Sequence, residues 1–209
     1  MSNLFFVDKI STESIQSIEN EEAHHAIKVL RLSVGELVYV SDGHGKWISG
    51  PISEISKKSL AIRIENTGET HTEKPELVVV QAFTKSDRNK EMLELVTVSG
   101  ADRIIPWAAA RSIGKGSDKF EITAREASKQ SRRFRIPEIT DIATTAQICE
   151  EIKKSNLAIA FHESASAKLS DQLSPHNVEH LLIIIGPEGG LTDEEISAFT
   201  HAGAKVALM

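Results

Sequence analysis

Hydrophobic positions recur at two different periods along this chain, and the change of period divides it. From residue 4 to 65 the apolar runs are short. Leu37, Val38 and Val40 form one run, and Trp47, Ile48 and Ile52 mark the next. Leu60, Ile62 and Ile64 repeat at every second residue, as on a half-buried strand. Asp42-Gly43-His44-Gly45 is a turn signal between the first two. One helix is predicted over residues 21–32, where Ala23, Ala26, Ile27 and Leu30 have helical spacing ahead of Gly35. These elements predict a small β-rich module over residues 1–70, a barrel. Asn66 to Pro75 is polar, contains Gly68 and reads as a linker.

From residue 76 to 209 the elements lengthen and alternate. Leu77 to Phe83 is a continuous apolar strand, as in a sheet covered on both faces. Asp87 is placed to cap a helix over residues 88–99, with Met92, Leu95 and Val96 inward and Gly100 as its stop. Arg103 to Trp107 reads as a strand, and residues 117–131 and 146–154 as helices. Leu157 to Phe161 and Leu181 to Ile185 read as buried strands. Thr192 and Glu195 fit a capping box, which opens a helix to about His201, followed by Gly203 and a strand from Lys205. Strands alternating with helices predict an α/β domain with a parallel sheet.

Composition narrows the classes of function. With 40% hydrophobic and 26% charged residues in 209, the chain is neither disordered nor fibrous. No apolar run approaches the roughly 18 residues of a membrane helix, and the N-terminus shows no leader pattern. Cys149 is the single cysteine, which excludes an internal disulfide and a multi-cysteine zinc site. A reducing cytoplasm, with no membrane and no metal, is the expectation. The net charge of −6 argues against a generic basic nucleic-acid binder. Its distribution changes that picture. Residues 76–140 carry 12 basic and 9 acidic side chains, net +3, between flanks of −3 and −6. Arg125, Lys129, Arg132, Arg133 and Arg135 fall within eleven residues. Such a cluster is either a solvated helix face or a patch that releases counterions on meeting a polyanion. Both readings stay open on the residues alone.

The sharpest local feature runs from Ile183 to Thr192. A buried strand enters Gly186-Pro187-Glu188-Gly189-Gly190, and Leu191 hands over to the capped helix. Ligands of open α/β sheets sit at the carboxyl ends of strands, and glycines admit a ligand close to the backbone. The loop lacks the Gly-Lys-Ser/Thr of a phosphate loop, and Glu188 repels phosphate. It suits a ligand with a positive centre and a sugar-adenine body. A tight strand-to-helix connection without a ligand is the alternative. His176-Asn177-Val178-Glu179-His180 spells an inverted zinc-protease signature, but Pro175 before it and a strand after it leave no room for the helix that site needs. It is read as a polar loop. His24-His25 reads as packing or surface, Cys149 as a small buried residue, and no nucleophile elbow supports a serine hydrolase.

Taken together, these motifs resemble the RsmE family, the 16S ribosomal RNA (uracil-N3) methyltransferases of the knotted SPOUT class. His25-Ala26-Ile27-Lys28-Val29-Leu30-Arg31-Leu32 followed by Val34-Gly35-Glu36 is similar to the family's first helix and turn. Gln81 to Arg88 resembles its lysine-containing strand-to-helix turn. Gly100 to Pro106, Arg111-Ser112, Glu126 to Arg133 with Ile136-Pro137, and Ile185 to Leu191 follow in family order. The likeness spans about residue 3 to residue 209. Two departures stand out: Val98 replaces a usual glutamate, and the family continues past Lys205-Val206 into a segment that threads the knot.

The resemblance implies an N-terminal PUA-like β-barrel over residues 1–70 that binds RNA and orients the substrate, and a C-terminal SPOUT α/β domain over residues 76–209, truncated, with its knot incomplete. It implies S-adenosyl-L-methionine as cofactor and 16S ribosomal RNA or the small ribosomal subunit as partner. It also implies a homodimer and methyl transfer to N3 of a uridine. Gly186, Pro187, Glu188, Gly189, Gly190 and Leu191 would hold the cofactor, with Phe161 and Glu163 as a second wall. Arg31, Lys85, Arg88, Arg111, Gln130, Arg132 and Arg133 would face RNA. Arg132 or Arg133 would stabilise the uracil anion that forms as N3 is attacked. The alternatives are a SPOUT methyltransferase acting at another RNA site and a non-catalytic RNA-binding module.

Overall fold

The computed structural model describes residues 3–113, 116, 119–172 and 178–208, with Ser86 by its backbone alone. The chain divides into two compact units, Met1–His71 with Arg125–Ile136, and Thr72–Ala124 with Pro137–Met209.

The first unit holds β1 (Asn3–Phe6), β2 (Ile15–Glu19), α1 (Asn20–His24), a π-wound turn (His25–Val29), β3 (Leu37–Ser41), β4 (Lys46–Ile55), β5 (Ser59–Arg63) and β6 (Asn66–Glu69). Its sheet runs β1-β3-β4-β5-β2, with β6 added on β4. Phe5 and Ile18, from the two end strands of that order, share one core with Val38, Val40, Ile48, Ile52, Leu60 and Ile62. The sheet therefore curls around a single core, in the manner of a small PUA-like barrel. A bulge between Ile52 and Glu54 lets β4 pair with β3 and β6 through its first half and with β5 through its second.

Three expectations for this region change. The helix predicted over 21–32 ends early, because the chain widens: Leu30 N–H bonds the His25 carbonyl at 2.9 Å, and Arg31 takes a left-handed φ of 55°. The linker predicted over 66–75 begins as strand β6, whose residues 66–69 satisfy the open edge of β4. Residues 125–136, expected within the C-terminal part, pack into the N-terminal unit. Arg125 lies 5.1 Å over the Phe6 ring, Phe134 stacks on Trp47 at 5.1 Å, and Ser41 Oγ donates to the Phe134 carbonyl at 2.6 Å.

The second unit holds β7 (Glu76–Ala82), α2 (Ser86–Val98), β8 (Arg103–Trp107), the start of α3 (Phe120–Ser131), β9 (Glu138–Ile139), α4 (Thr145–Lys154), β10 (Leu157–Phe161), α5 (Leu169–Gln172), β11 (His180–Ile185), α6 (Asp193–Ala202) and β12 (Lys205–Ala207). The sheet is parallel throughout, in the order β12-β10-β11-β7-β8-β9. One face packs Val78, Val80, Leu182 and Ile184 against Ile148, Ile152 and Phe199 of α4 and α6. The other packs Val79 and Ile104 against Leu93 and Phe120 of α2 and α3. Both faces are covered, which is why its strands read as unbroken apolar runs.

The start of α2 differs from expectation. Lys85, not Asp87, occupies the N-cap of α2, and Leu95 points outward at 68% exposure. Met92 and Val96 do pack inward, partly buried, beside a fully buried stripe of Asn89, Leu93 and Thr97, one residue every turn. Ser117, the expected start of α3, and Ser174, Pro175, His176 and Asn177 of the histidine-rich segment lie outside the described residues. His180 opens β11, where its Nδ1 lies 2.6 Å from Glu76 Oε2, so the end of that segment is strand rather than zinc-binding helix.

Candidate functional site

The order of the parallel sheet creates a switch point. The chain leaves β7 towards β8 on one side, whereas β11 and β10 lie on the other. The loops following β7 and β11 meet there at the carboxyl edge, the place where open α/β sheets take ligands. The glycine loop Gly186–Leu191 follows β11 directly, whose last residue, Ile185, is in register with Gln81 near the end of β7.

The loop has little freedom. A Cβ on Gly186 would stand 2.9 Å from Leu191 Cδ2, and Leu191 is buried in the core at 3% exposure. Gly190 has φ +71°, which side chains disfavour. Gly190 N–H bonds the Pro187 carbonyl at 2.9 Å and closes the turn. Thr192 then caps α6, as the sequence predicts, with the reciprocal Glu195 bond in place.

Two neighbouring turns are tied to this loop. Arg111, after β8, donates through Nη1 to the Gly189 carbonyl at 2.7 Å and the Leu191 carbonyl at 3.4 Å. After β7, Lys85 N–H and Arg88 Nη1 approach Glu188 Oε1 at 3.3 and 3.4 Å. The Glu188 carboxyl is held below its ordinary range, first by its own backbone N–H, then by the Lys85 N–H and the Arg88 charge, against partial desolvation. It stays ionised at neutral pH, beside a loop that offers its backbone.

Two buried residues outside the predicted site, Glu195 and Asn89, position these groups. Glu195 Oε1 accepts Ala110 N–H at 2.8 Å while Oε2 accepts Thr192 N–H at 2.9 Å, so one carboxylate joins the Arg111 turn to α6. Asn89 Oδ1 accepts both the Thr84 N–H and its hydroxyl at 2.8 Å, which sets the turn that presents Lys85. The capping-box spacing pointed to Glu195 as a cap, but no local signal gives its bond to Ala110, 85 residues away. At the end of β10, Phe161 is half-buried, His162 N–H bonds the Ala207 carbonyl, and Glu163 is exposed. Gln81 Oε1 and Ser112 Oγ are buried at this edge without a hydrogen-bond partner among the described residues.

The predicted site residues thus fall into two groups. Lys85, Arg88, Arg111, Phe161, Glu163 and the loop Gly186–Leu191 all lie at the carboxyl edge of the second unit's sheet. Arg31, Gln130, Arg132 and Arg133 belong to the first unit. Arg31, Gln130 and Arg132 are exposed there and Arg133 is half-buried. The basic cluster proves mixed. Arg125 and Lys129 pair with Glu22 at 3.2 and 2.8 Å, and Arg135 donates to the His44 carbonyl. Burial raises the thiol pKa of Cys149, which packs partly buried against the core of α4 and α6. Among the described residues no three His, Cys, Asp or Glu side chains gather as a metal site, and no helix is long and apolar enough to cross a membrane.

A family model for an RNA methyltransferase domain matches residues 72–209, and one for an RNA methyltransferase PUA domain matches residues 18–65. The ribosomal RNA small subunit methyltransferase E of Mycobacterium tuberculosis is 30% identical over 214 residues, covering 96% of this chain and 81% of that protein. Its Bacillus subtilis counterpart is 27% identical over 202 residues, covering 88% and 78%. A crystal structure of a ribosomal RNA small subunit methyltransferase E from Neisseria gonorrhoeae bound to S-adenosyl methionine superposes with a TM-score of 0.85. It is 20% identical, and the match covers 100% of this chain and 89% of that one. That structure supports the fold, and the sequence matches go further: with its PUA-like module ahead of a SPOUT-type domain, the chain belongs to the RsmE family of RNA methyltransferases.

Proposed function

We propose that this protein transfers a methyl group from S-adenosyl-L-methionine to N3 of a uridine in 16S ribosomal RNA of the small subunit, acting as a homodimer. The observation that carries this reading is the glycine loop at the sheet's switch point, closed behind by Arg111 and fronted by ionised Glu188, in a chain of this family. The residues fit the cofactor. Bare glycine backbone admits an adenosine closely, Glu188 offers a carboxylate to a positive centre or a ribose hydroxyl, and the unmet Gln81 Oε1 and Ser112 Oγ leave hydrogen-bonding capacity at the same edge. When bound, the cofactor supplies an electrophilic methyl carbon on a sulfonium.

The remaining work falls to this chain. Backbone groups of Gly186, Pro187, Gly189, Gly190 and Leu191 orient the donor, with Phe161 and Glu163 as a second wall. Uracil N3 lies on the Watson–Crick edge, so the base must be unpaired when it enters. Its N–H is a poor nucleophile, and Arg132 or Arg133 stabilises the negative charge that develops on the ring. Arg31, Lys85, Arg88 and Gln130 hold the RNA, while Arg111, expected to face RNA, is engaged by the Gly189 and Leu191 carbonyls and holds the loop instead; alignment of N3 with the methyl carbon supplies much of the rate.

The test is methylation of small ribosomal subunits from cells lacking the gene, followed by mass mapping of the RNA. One new methyl group at N3 of a uridine in 16S RNA is expected. Methylation at another atom or another RNA, or none with free RNA and intact subunits alike, overturns the reading.

A further inference from the structure

The cations left without partners point to a second RNA contact, distinct from the arginine cluster. In the first unit, Arg125 and Lys129 are paired with Glu22 and Glu126. Lys28, Lys57 and Lys58 form no ion pair among the described residues. His24, the last residue of α1, and Lys28, in the π-wound turn, are four positions apart and therefore neighbours on one helical face. Lys57 and Lys58 form the tip of the turn between β4 and β5. That turn is rigid: Ser56 N–H bonds the Ser59 carbonyl at 2.9 Å, and Ser56 Oγ accepts the N–H groups of Lys58 and Ser59 at 3.3 and 3.1 Å. These four side chains line one cleft of about 370 Å³. Glu19 is the single carboxylate among its lining residues, and half-buried Ile27 supplies an apolar wall.

We propose that this cleft binds the phosphodiester backbone of the substrate RNA and anchors the N-terminal unit on it. Three ammonium groups against one carboxylate leave an excess positive charge. Lysine ammoniums act as point charges that suit a phosphate of any orientation, and the neighbouring imidazole adds a hydrogen-bonding ring. The geometry favours a chain of phosphates over a single ion. Lys57 and Lys58 sit on a hairpin tip and His24 and Lys28 on a helical face, so the charges come from two separate elements. Ile27 lies alongside for a ribose or base edge. Contacts of this kind position an RNA without reading its sequence. The inference rests on the reading of this protein as an RNA enzyme.

The experiment measures binding of a fluorescent small-subunit RNA fragment to the full chain across a salt series, for the wild type, Lys57→Ala/Lys58→Ala and His24→Ala/Lys28→Ala. Calorimetry with S-adenosylmethionine and thermal melting run in parallel. For the lysine pair, removing two phosphate contacts should weaken RNA binding about 20-fold near 0.1 M salt and flatten the log–log salt slope by about 1.4, at about 0.7 per contact. The second pair should weaken binding in the same direction, with melting and cofactor affinity unchanged. Wild-type affinity and slope in both variants overturn the cleft while leaving the enzyme reading intact. A wild type that binds no ribosomal RNA overturns both. If polyglutamate binding falls in the variants while RNA binding does not, the cleft serves an acidic polypeptide and the RNA proposal is wrong.

Discussion

Arg111 donates to the carbonyl of Gly189 at 2.7 Å, and the cation that follows β8 thereby closes the back of the loop that follows β11. A guanidinium engaged in this way fixes the carbonyls of Gly189 and Leu191. A Cβ on exposed Gly189 would stand 3.3 Å from Arg111 Cβ and push the two apart.

Gly189→Val should therefore lower affinity for S-adenosylmethionine at least about tenfold while changing the unfolding free energy by less than about 1 kcal/mol, as for other exposed substitutions. Titration calorimetry and urea denaturation on the same preparation separate the two effects. Normal cofactor binding would remove the loop assignment.

Glu195→Ala strips the acceptor from Ala110 N–H and Thr192 N–H together. Two orphaned donors and a lost cap should cost about 2–4 kcal/mol in urea denaturation. Glu195→Gln keeps one acceptor oxygen and should recover about half of that loss.

In the N-terminal unit, Glu22 and Lys129 side chains are each only 13% exposed. Removing the carboxylate in Glu22→Ala leaves two cations facing a poorly solvated site and should destabilise by about 2 kcal/mol, less than a fully buried pair because Glu126 still holds Lys129. Glu65→Ala breaks the exposed pair with Arg63 and should change stability by less than about 0.5 kcal/mol. Equal losses in the two variants would contradict this difference in burial.

Glu151 carries a pH dependence whose sign follows from its partners. Burial acts to raise its pKa, but hydrogen bonds from Lys154 and Arg103 and their charges outweigh burial and leave it below the ordinary carboxylate value. A folded-state pKa below the unfolded one contributes stability above the unfolded pKa, and that contribution is lost as pH falls through the folded value. Denaturation of the wild type should show a steeper loss on acidification below about pH 4.5 than Glu151→Gln does. Parallel curves would show that the carboxylate is not stabilised by Arg103 and Lys154.

Arg132→Ala and Arg133→Ala test the remaining basic motif. Each should weaken RNA binding and flatten its salt slope by about 0.7 if it meets a phosphate. A fall in methyl transfer at saturating RNA, with the slope unchanged, would instead mark a residue acting on the uracil.

Much of the architecture was legible because it depends on neighbours in sequence. The apolar runs 77–83, 157–161 and 181–185 became β7, β10 and β11, since a strand buried on both faces is apolar at nearly every position, with Gln81 the polar exception in β7. Thr192 and Glu195 sit three residues apart, and their cap formed as read. The errors came where a distant partner decided the outcome. Residues 66–69 look like a polar linker, yet the open edge of β4 makes them a strand.

The sequence alone determined that a glycine-rich turn follows a buried strand and opens a capped helix, because strand periodicity, glycine and capping chemistry act over a few residues. Only the tertiary structure decided which cations remain available. Arg125, Lys129 and Arg135 look equivalent to Arg132 along the chain, and their bonds to Glu22 and to the His44 carbonyl exist only once residues about a hundred positions apart are brought together. Pairing of charges depends on distance in space, which the order of residues does not record.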